Sequence, residues 1–380
     1  MMHVPVRIGV IGCGNIFSRY ATGMSRFPGL ELVAVADADP TRAKAAAAEA
    51  DAAACTVEGL LGREDIDVVV NITPPTAHAT VSEQVLAVGK HLYVEKPLAD
   101  MTAAARAALA EADRQGLRFG AAPDTFLGSA GQTARAAIDS GAIGEPVGAT
   151  AFVTHSQAEA WHPDPTFLFR PGGGPALDMG PYYVTALVNC LGPVSTVYGT
   201  SRIGAPQRTV TAANRLVDRI DVAVPTHTAA TVTFASGVLA TVMMSFDVWD
   251  HHLPFIEIYG TEGALSLPNP NHYDGPVLLR RHGDLQWTEL PPVVPPLARP
   301  GSDDQLLRGI GVADLAAALR DARPHRATAG LAFHVLEALE AIAVSADSGA
   351  PVQLTSTCER PEPVDGVYGA ASLDTLETHP

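Results

Sequence analysis

Lysine is nearly missing from this chain. Only Lys44, Lys90 and Lys96 among its 25 basic residues are lysine, and the rest are arginine. Where a surface cation is wanted, this sequence writes Arg. A lysine is therefore a candidate for a task arginine cannot do, because arginine keeps its proton in a protein while lysine gives it up when its charge is disfavoured. Cysteine is scarce too. Cys13, Cys55, Cys190 and Cys358 lie far apart and form no CxxC pair, which points away from a metal site or a disulfide framework and towards a reducing, cytoplasmic setting. There is no Lys/Arg-rich run, and the formal net charge is −16, so nucleic acid and anionic membrane are poor partners. No uninterrupted apolar run reaches transmembrane length, and the opening MMHVPVRIGVIGCG is too short an apolar stretch for a secretion signal. No internal repeat is visible.

What the chain has is length and apolar content. Its 380 residues, 47% of them hydrophobic, fit two globular domains. VRIGVIG (6–12) is an apolar β-rich run that leads into Gly12-Cys13-Gly14-Asn15-Ile16-Phe17 and an amphipathic stretch to about Phe27. LELVAVAD then ends at Asp37. Strand, glycine turn, helix, strand and acid is the order that binds a dinucleotide. Gly12 makes the tight turn, and Gly14, followed by Asn15 and Ile16, lets backbone N–H groups approach a pyrophosphate at the positive end of the helix. Asp37, 23 residues after Gly14, is placed to accept hydrogen bonds from an adenosine ribose. The usual third glycine is replaced by Phe17, which implies a different packing of this helix on the sheet. A carboxylate at Asp37 repels a 2′-phosphate, so NAD is favoured over NADP, with Arg42 close enough to keep NADP open as the lesser option.

The alternation continues with a helix over 40–50, a strand IDVVVNIT (66–73), a helix from Pro74-Pro75-Thr76 through Val88 with Thr76 as N-cap, and the strand HLYV (91–94). A helix over 101–115 capped by Asp100 and a strand RFGAA (118–122) follow. This pattern predicts a doubly wound parallel sheet, in which ligands bind at the carboxyl ends of the strands. Thr73, Pro74 and His78 lie at such an end, with His78 read as a structural or cofactor-edge residue. Glu95-Lys96-Pro97 lies at another, and the Lys96–Pro97 bond is a candidate for the cis form. Lys96 is either a proton-transfer amine or a lysine that caps a loop.

From about Gly144 the pattern changes. PVGATAFVTHS (146–156), STVYGTSRI (195–203), 226–249, 255–268 and 275–290 alternate as strands, with turns at Ser236-Gly237 and Glu262-Gly263. They predict a large, mostly antiparallel open sheet, which needs a cover; pairing with another subunit is one answer. A proline-rich loop (289–304), helices over 306–322 and 331–346, and an irregular tail from about Cys358 complete the chain. Within this half, Trp161-His162, Arg170, Gly172-Gly173-Gly174 and Asp178 to Tyr182 form a second cluster, with a helix expected over 177–191. On one helix Asp178 and Tyr182, four apart, share a face. Either Asp178 caps the helix and Tyr182 packs in the core, or the pair builds a polyol pocket. Trp161 stacks on a sugar face beside His162, or both sit in a surface loop. Arg170 binds an anionic substrate group or pairs with an acid. Asp124, after the strand 118–122, is a candidate to line the same cleft.

Taken in order, Gly12-x-Gly14 after the first strand, Glu95-Lys96-Pro97, and Gly172-Gly173-Gly174 with Asp178-x-Gly180 resemble the glucose–fructose oxidoreductase, inositol dehydrogenase and rhizopine-catabolism family, written Gfo/Idh/MocA. The resemblance implies an N-terminal Rossmann domain (1–123), a substrate-binding and oligomerisation α+β domain (124–357) and a short tail (358–380). It implies nicotinamide-dependent chemistry on a sugar, glycoside or cyclitol, in a homodimer or homotetramer built through the C-terminal sheet. Many members carry histidine four residues after the aspartate, and here that position is Tyr182. Hydride transfer from a secondary alcohol requires removal of its hydroxyl proton. Lysine and tyrosine both titrate near about 10 when free, so either must be tuned by its surroundings. Lys96 is assigned as the main acid/base or hydroxyl-polarising group, Tyr182 as its partner or as the base itself, Asp178 as a ligand of a neighbouring hydroxyl, and Glu95 as the holder of the loop. The alternatives are the reverse reaction on a keto-sugar, C3 oxidation of a glycoside, and a non-catalytic NAD-binding sensor.

Overall fold

The computed structural model describes residues 4–154, 158–298 and 306–364. The chain forms two compact units. The first comprises the described parts of Met1–Gly128, Val294–Ala332 and Pro361–Pro380; the second comprises Ser129–Val293 and Phe333–Arg360.

The first unit opens with β1 (Val6–Ile11), α1 (Phe17–Met24), β2 (Leu30–Ala36), α2 (Pro40–Ala50), β3 (Ala53–Cys55) and α3 (Val57–Leu61). It continues with β4 (Val68–Asn71), α4 (His78–Ala87), β5 (His91–Val94), α5 (Thr102–Gln115) and β6 (Phe119–Ala121). The strands pair in parallel in the order β3-β2-β1-β4-β5-β6. The order reverses between β1 and β4, where open α/β sheets bind ligands. Helices cover both faces, so Ile8, Val10 and Val68 to Val70 are completely buried. Each such side chain contributes about 1.5–3 kcal/mol, which is why these strands read as continuous apolar runs. Asp39 caps α2 by accepting from the Thr41 N–H at 2.8 Å. Two expected caps are not used. Pro74 is held extended (ψ 150°), Pro75–Ala77 tighten into a 3₁₀ turn, and α4 starts only at His78, with Ala77 in place of Thr76 as N-cap. The α5 N-cap is Met101, not Asp100, and it makes no side-chain bond.

The second unit contains α6 (Ser129–Asp139), β7 (Pro146–Thr154), α7 (Ala158–Trp161), α8 (Pro175–Asp178), α9 (Gly180–Leu191), β8 (Val194–Arg202), β9 (Gln207–Thr209) and β10 (Arg219–Asp221). The strands β11 (His227–Phe234), β12 (Leu239–Ser245), β13 (Ile256–Gly260), β14 (Gly263–Leu267), β15 (Leu278–Arg281) and β16 (Thr288–Glu289) follow. After them in the chain come α10 (Ile310–Asp321), which belongs to the first unit, and α11 (Ala329–Ser348) and β17 (Val352–Gln353), which from Phe333 on belong to the second. The main sheet has nine strands in the order β16-β15-β14-β13-β7-β12-β11-β8-β17. Its pairs are antiparallel except β7 with β12. Ala149, Ala151 and Val153 of β7 point into the core in strict alternation. The Gly199 N–H donates to Ser345 Oγ of α11 and the Val194 N–H to His334 Nε2, each at 2.9 Å. By length and composition α11 could cross a membrane, but 67% of that stretch is buried inside the protein, as in a core helix. β9 and β10 form a separate ribbon that the strand pattern did not reveal. The expected strand end at 155–156, the loop end at 299–304 and the tail from 365 fall outside the described residues.

The division of the chain differs from the contiguous one expected. Residues 294–332 belong to the first unit, because that sheet has an edge to close. The Ala121 N–H of β6 donates to the Ala327 carbonyl at 3.0 Å, and Gly120 bridges Thr328. The expected helix over 306–322 starts only at Ile310, because Gly309 before it has φ 125°. Asp124 Oδ2 accepts from the Gly311 N–H in its first turn at 2.8 Å. This segment lies so close on α1 that a Cβ on Gly23 would stand 1.9 Å from the Arg308 carbonyl oxygen. Gly23→Ala is therefore expected to lower unfolding stability by about 1–3 kcal/mol through overpacking. Urea denaturation checks this, and an unchanged midpoint would contradict the packing described.

Candidate functional site

In the first unit the candidate residues gather at the carboxyl ends of adjacent strands. Gly12 leaves β1 with φ 104°, and a Cβ there would lie 2.7 Å from the Ile72 backbone. Only glycine fits that turn. Gly14 is exposed, and a Cβ built on it meets no atom within 4 Å. The Phe17 N–H donates to the Gly14 carbonyl at 3.0 Å and α1 begins, with no side chain capping Ile16. An uncapped helix start presents its first N–H groups, with those around Asn15 and Ile16, to an anion. Phe17, where a third glycine was expected, is 3% exposed and packs α1 on the sheet.

Asp37 follows β2 and is anchored. Its Oδ2 accepts from the Cys13 N–H at 2.7 Å and its Oδ1 from the Asp39 N–H at 2.8 Å. Arg42 Nε stands 3.4 Å from Oδ1 and also pairs with Asp39. Burial, and then the charge of Asp37, push the Cys13 thiol up to about 11, so it stays protonated.

Beyond β4, the Thr73 N–H and Oγ1 donate to Asn71 Oδ1 at 3.2 and 2.7 Å. Asn71 Nδ2 donates to the His78 carbonyl at 3.1 Å and to Ser82 Oγ at 3.3 Å. Pro74 leads from Thr73 into the 3₁₀ turn that delivers His78. Beyond β5, Glu95 is buried: Oε1 accepts from Tyr20 Oη at 2.9 Å and Oε2 from the Lys96 N–H at 2.7 Å. The Lys96–Pro97 bond is cis. Lys96 is half-buried, while Leu98 and Ala99 after it are buried. The sequence reading missed Asn71 and Tyr20. A polar residue ending the apolar strand VVVN was a visible signal for Asn71; nothing marked Tyr20. Asp124 is fully buried and serves α10 through Gly311, a use the sequence did not reveal.

In the second unit, the end of α7, the loop after it and the helices α8 and α9 carry the other candidates. Trp161 is 66% exposed and meets His162 edge-on at 5.4 Å; His162 meets Phe167 in the same way at 5.3 Å. His162 Nδ1 accepts from the Asp164 N–H at 3.0 Å. Arg170 is exposed. The glycine run that follows is sterically required: a Cβ on Gly173 would lie 2.3 Å from the Phe167 carbonyl oxygen. Gly174, at φ 90°, donates to the Leu168 carbonyl at 2.7 Å. The helix expected over 177–191 is two helices. Asp178 ends α8, Met179 interrupts, and Tyr182 lies in the first turn of α9, so the pair does not share one helix face. Gly180 must be glycine, since a Cβ there would come within 2.8 Å of Leu339 and 2.9 Å of Met244, and Pro181 after it has no N–H with which to continue the helix from α8. Asp178 is half-buried; Tyr182 is 4% exposed. Arg208 packs 5.5 Å over the Phe169 ring and pairs with Glu159 and Asp247 beneath this loop.

A parallel doubly wound sheet, a glycine turn into an uncapped helix and an anchored acid after β2 define a dinucleotide-binding Rossmann domain, here joined to a large antiparallel sheet. Residues 6–122 match the oxidoreductase family with an NAD-binding Rossmann fold, and residues 132–266 match the GFO/IDH/MocA C-terminal domain. The two matches together span well over half of the chain, and it belongs to the GFO/IDH/MocA oxidoreductase family. Inositol 2-dehydrogenase of Rhizobium meliloti (strain 1021) is 29% identical over 45% of the chain, a match that spans only 50% of that relative's length. The 1,5-anhydro-D-fructose reductase of Ensifer adhaerens is 29% identical over 68% of the chain and 74% of its own length. The fold is that of levoglucosan dehydrogenase, solved in complex with NADH and levoglucosan, at a TM-score of 0.80 and 19% identity over 93% of this chain and 100% of that one.

The two glycines of the turn separate by experiment. Gly12→Ala is expected to lower the melting temperature, because its Cβ meets backbone, whereas Gly14→Ala is expected to melt like the parent yet bind NADH more weakly. Differential scanning calorimetry with cofactor titration checks the pair. A Gly14→Ala protein with unweakened NADH binding would exclude close approach at Gly14.

Proposed function

We propose that this protein transfers a hydride between NAD and a secondary hydroxyl or ketone of a sugar, glycoside or cyclitol. The observation that carries this reading is the setting of Lys96. One of only three lysines in the chain follows β5 in a turn held by the buried Glu95 carboxylate and Tyr20, beside the turn that ends at Thr73. The curated relatives named above act on a cyclitol and on an anhydro-sugar, which supports the substrate class.

The nicotinamide supplies the hydride acceptor or donor. With a cofactor bound in the oxidative direction, the hydride of the carbinol carbon would pass to the nicotinamide, and a protein base would receive the hydroxyl proton. Lys96 is that acid/base group, Tyr182 its partner or substitute, and Asp178 a ligand for an adjacent hydroxyl of the ring. Trp161 offers an exposed ring face for a sugar, with His162 and Arg170 as further polar contacts of the substrate. Reduction of a keto-sugar uses the same groups with the proton moving the other way, and the relative named as a reductase supports that direction.

Asp37, Gly12, Gly14, Asn15, Ile16, Thr73, Pro74 and Glu95 form the cofactor side. The Asp37 carboxylate favours NAD. Arg42, already engaged by Asp37 and Asp39, is the residue through which NADP would be accepted. The face of the nine-stranded sheet that carries Phe152, Tyr198, Leu239 and Met243 is half-buried to exposed, and it suits pairing with a second copy in a homodimer or homotetramer. Four unpaired cysteines fit a cytoplasmic site of action.

Lys96→Met is expected to lower kcat by roughly 10²–10⁴-fold with NADH affinity retained. The assay is nicotinamide absorbance on a panel of inositols, anhydro-sugars, glycosides and keto-sugars. Near-parental turnover in Lys96→Met would remove the lysine from proton transfer, and an unchanged pH–rate profile in Tyr182→Phe would remove the tyrosine. Asp37→Ser is expected to shift the NADH/NADPH preference by roughly tenfold towards NADPH, the scale of one charged hydrogen bond. Isothermal titration with both cofactors measures it, and an unmoved ratio would deny Asp37 the role of discriminator.

A further inference from the structure

His78, the first residue of α4, is 1% exposed. Its Nδ1 lies 2.7 Å from the Pro97 carbonyl oxygen and its Nε2 2.8 Å from the Thr73 carbonyl oxygen. Both partners can only accept. The ring thus bridges the turn after β4 to the turn after β5, and Pro97 is the residue next to Lys96. A neutral imidazole donates to one carbonyl at a time; a doubly protonated ring donates to both. Burial opposes the second proton, the two carbonyls and Glu95 favour it, and Lys96 opposes it. From the other side the same turn is held by Tyr20 on Glu95 and by Glu95 on the Lys96 N–H. Without the ring, the carbonyl of Pro97 would lose a buried donor and the backbone beside Lys96 would have to move to replace it.

We infer that His78 is a positioning residue for Lys96: through Nδ1 it holds the Pro97 carbonyl and so fixes the backbone from which the lysine side chain departs. The inference rests on the acid/base reading of Lys96 for its catalytic consequence, but not for its geometry. Asparagine and glutamine separate the two contacts. An Asn amide nitrogen stands near the place of Nδ1, and a Gln amide nitrogen near that of Nε2.

The scarcity of lysine supplies the readout. Reductive ¹³C-methylation marks Lys44, Lys90 and Lys96 besides the N-terminus, and Lys96→Met assigns the third signal. Lys90, whose Nζ donates to the Arg63 and Ile66 carbonyls, reports on the integrity of the fold. In His78→Gln the Lys96 resonance and its titration midpoint are expected to move while those of Lys44 and Lys90 stay, and turnover is expected to fall by roughly 10²-fold. NADH affinity is expected to hold. In His78→Asn the Lys96 resonance is expected to return to its parental position. A Lys96 signal that does not move in His78→Gln, or that moves equally in both variants, overturns the inference. Should His78→Gln not fold, His78→Asn decides alone: a parental Lys96 signal supports the inference and a displaced one overturns it. If the resonances behave as expected but Lys96→Met keeps full turnover, the acid/base reading fails and the positioning stands.

Discussion

The buried carboxamide of Asn71 is the interaction on which the ligand edge of the first unit depends. At the end of β4, with none of its surface exposed, it accepts from Thr73 and donates to α4 at the His78 carbonyl and Ser82. Its own backbone carbonyl takes the Glu95 N–H at 2.9 Å. One residue therefore registers a strand, the turn after it, a helix start and the neighbouring strand. Asparagine suits this place because its side chain both donates and accepts without charge; an aspartate would leave the His78 carbonyl facing an anion in the core. Everything placed along that edge inherits its geometry from this amide.

How much of this could be read from the sequence divides along a physical line. Contacts local in sequence were legible. Gly12 and Gly14 between a buried strand and a helix, Asp37 at the next strand end, and Glu95-Lys96-Pro97 after HLYV each show in their neighbouring residues, although the crowding at Gly12 comes from Ile72. The parallel and antiparallel halves followed from continuous as opposed to alternating apolar runs. The turn at Gly172-Gly173-Gly174 was visible as a motif, but its cause was not. The crowding that excludes a side chain at Gly173 comes from the Phe167 carbonyl, local in sequence but set by how tightly the intervening loop turns back on itself. The close packing on Gly180 between α8 and α9 was likewise hidden, because Leu339 and Met244 reach it from far along the chain.

Buried polar residues were the hardest to read. Tyr20 looks like an ordinary core aromatic of an amphipathic helix, and only the placement of Glu95 gives its hydroxyl a task. Asp124 reads as a cleft residue after a strand, yet its carboxylate meets the start of α10, which is 187 residues away in the chain. Periodicity records which face of an element is apolar. It carries no information about which distant backbone group a single polar side chain satisfies.

That long return of the chain has a consequence for synthesis. The edge of β6, the carboxylate of Asp124 and the groove over Gly23 are all completed by residues between Arg308 and Thr328. On the ribosome, the N-terminal nucleotide-binding sheet emerges with one margin open and waits for almost the whole chain before it is sealed. An isolated fragment ending at Gly128 would keep every recognisable dinucleotide motif and still lack the strip that finishes its fold.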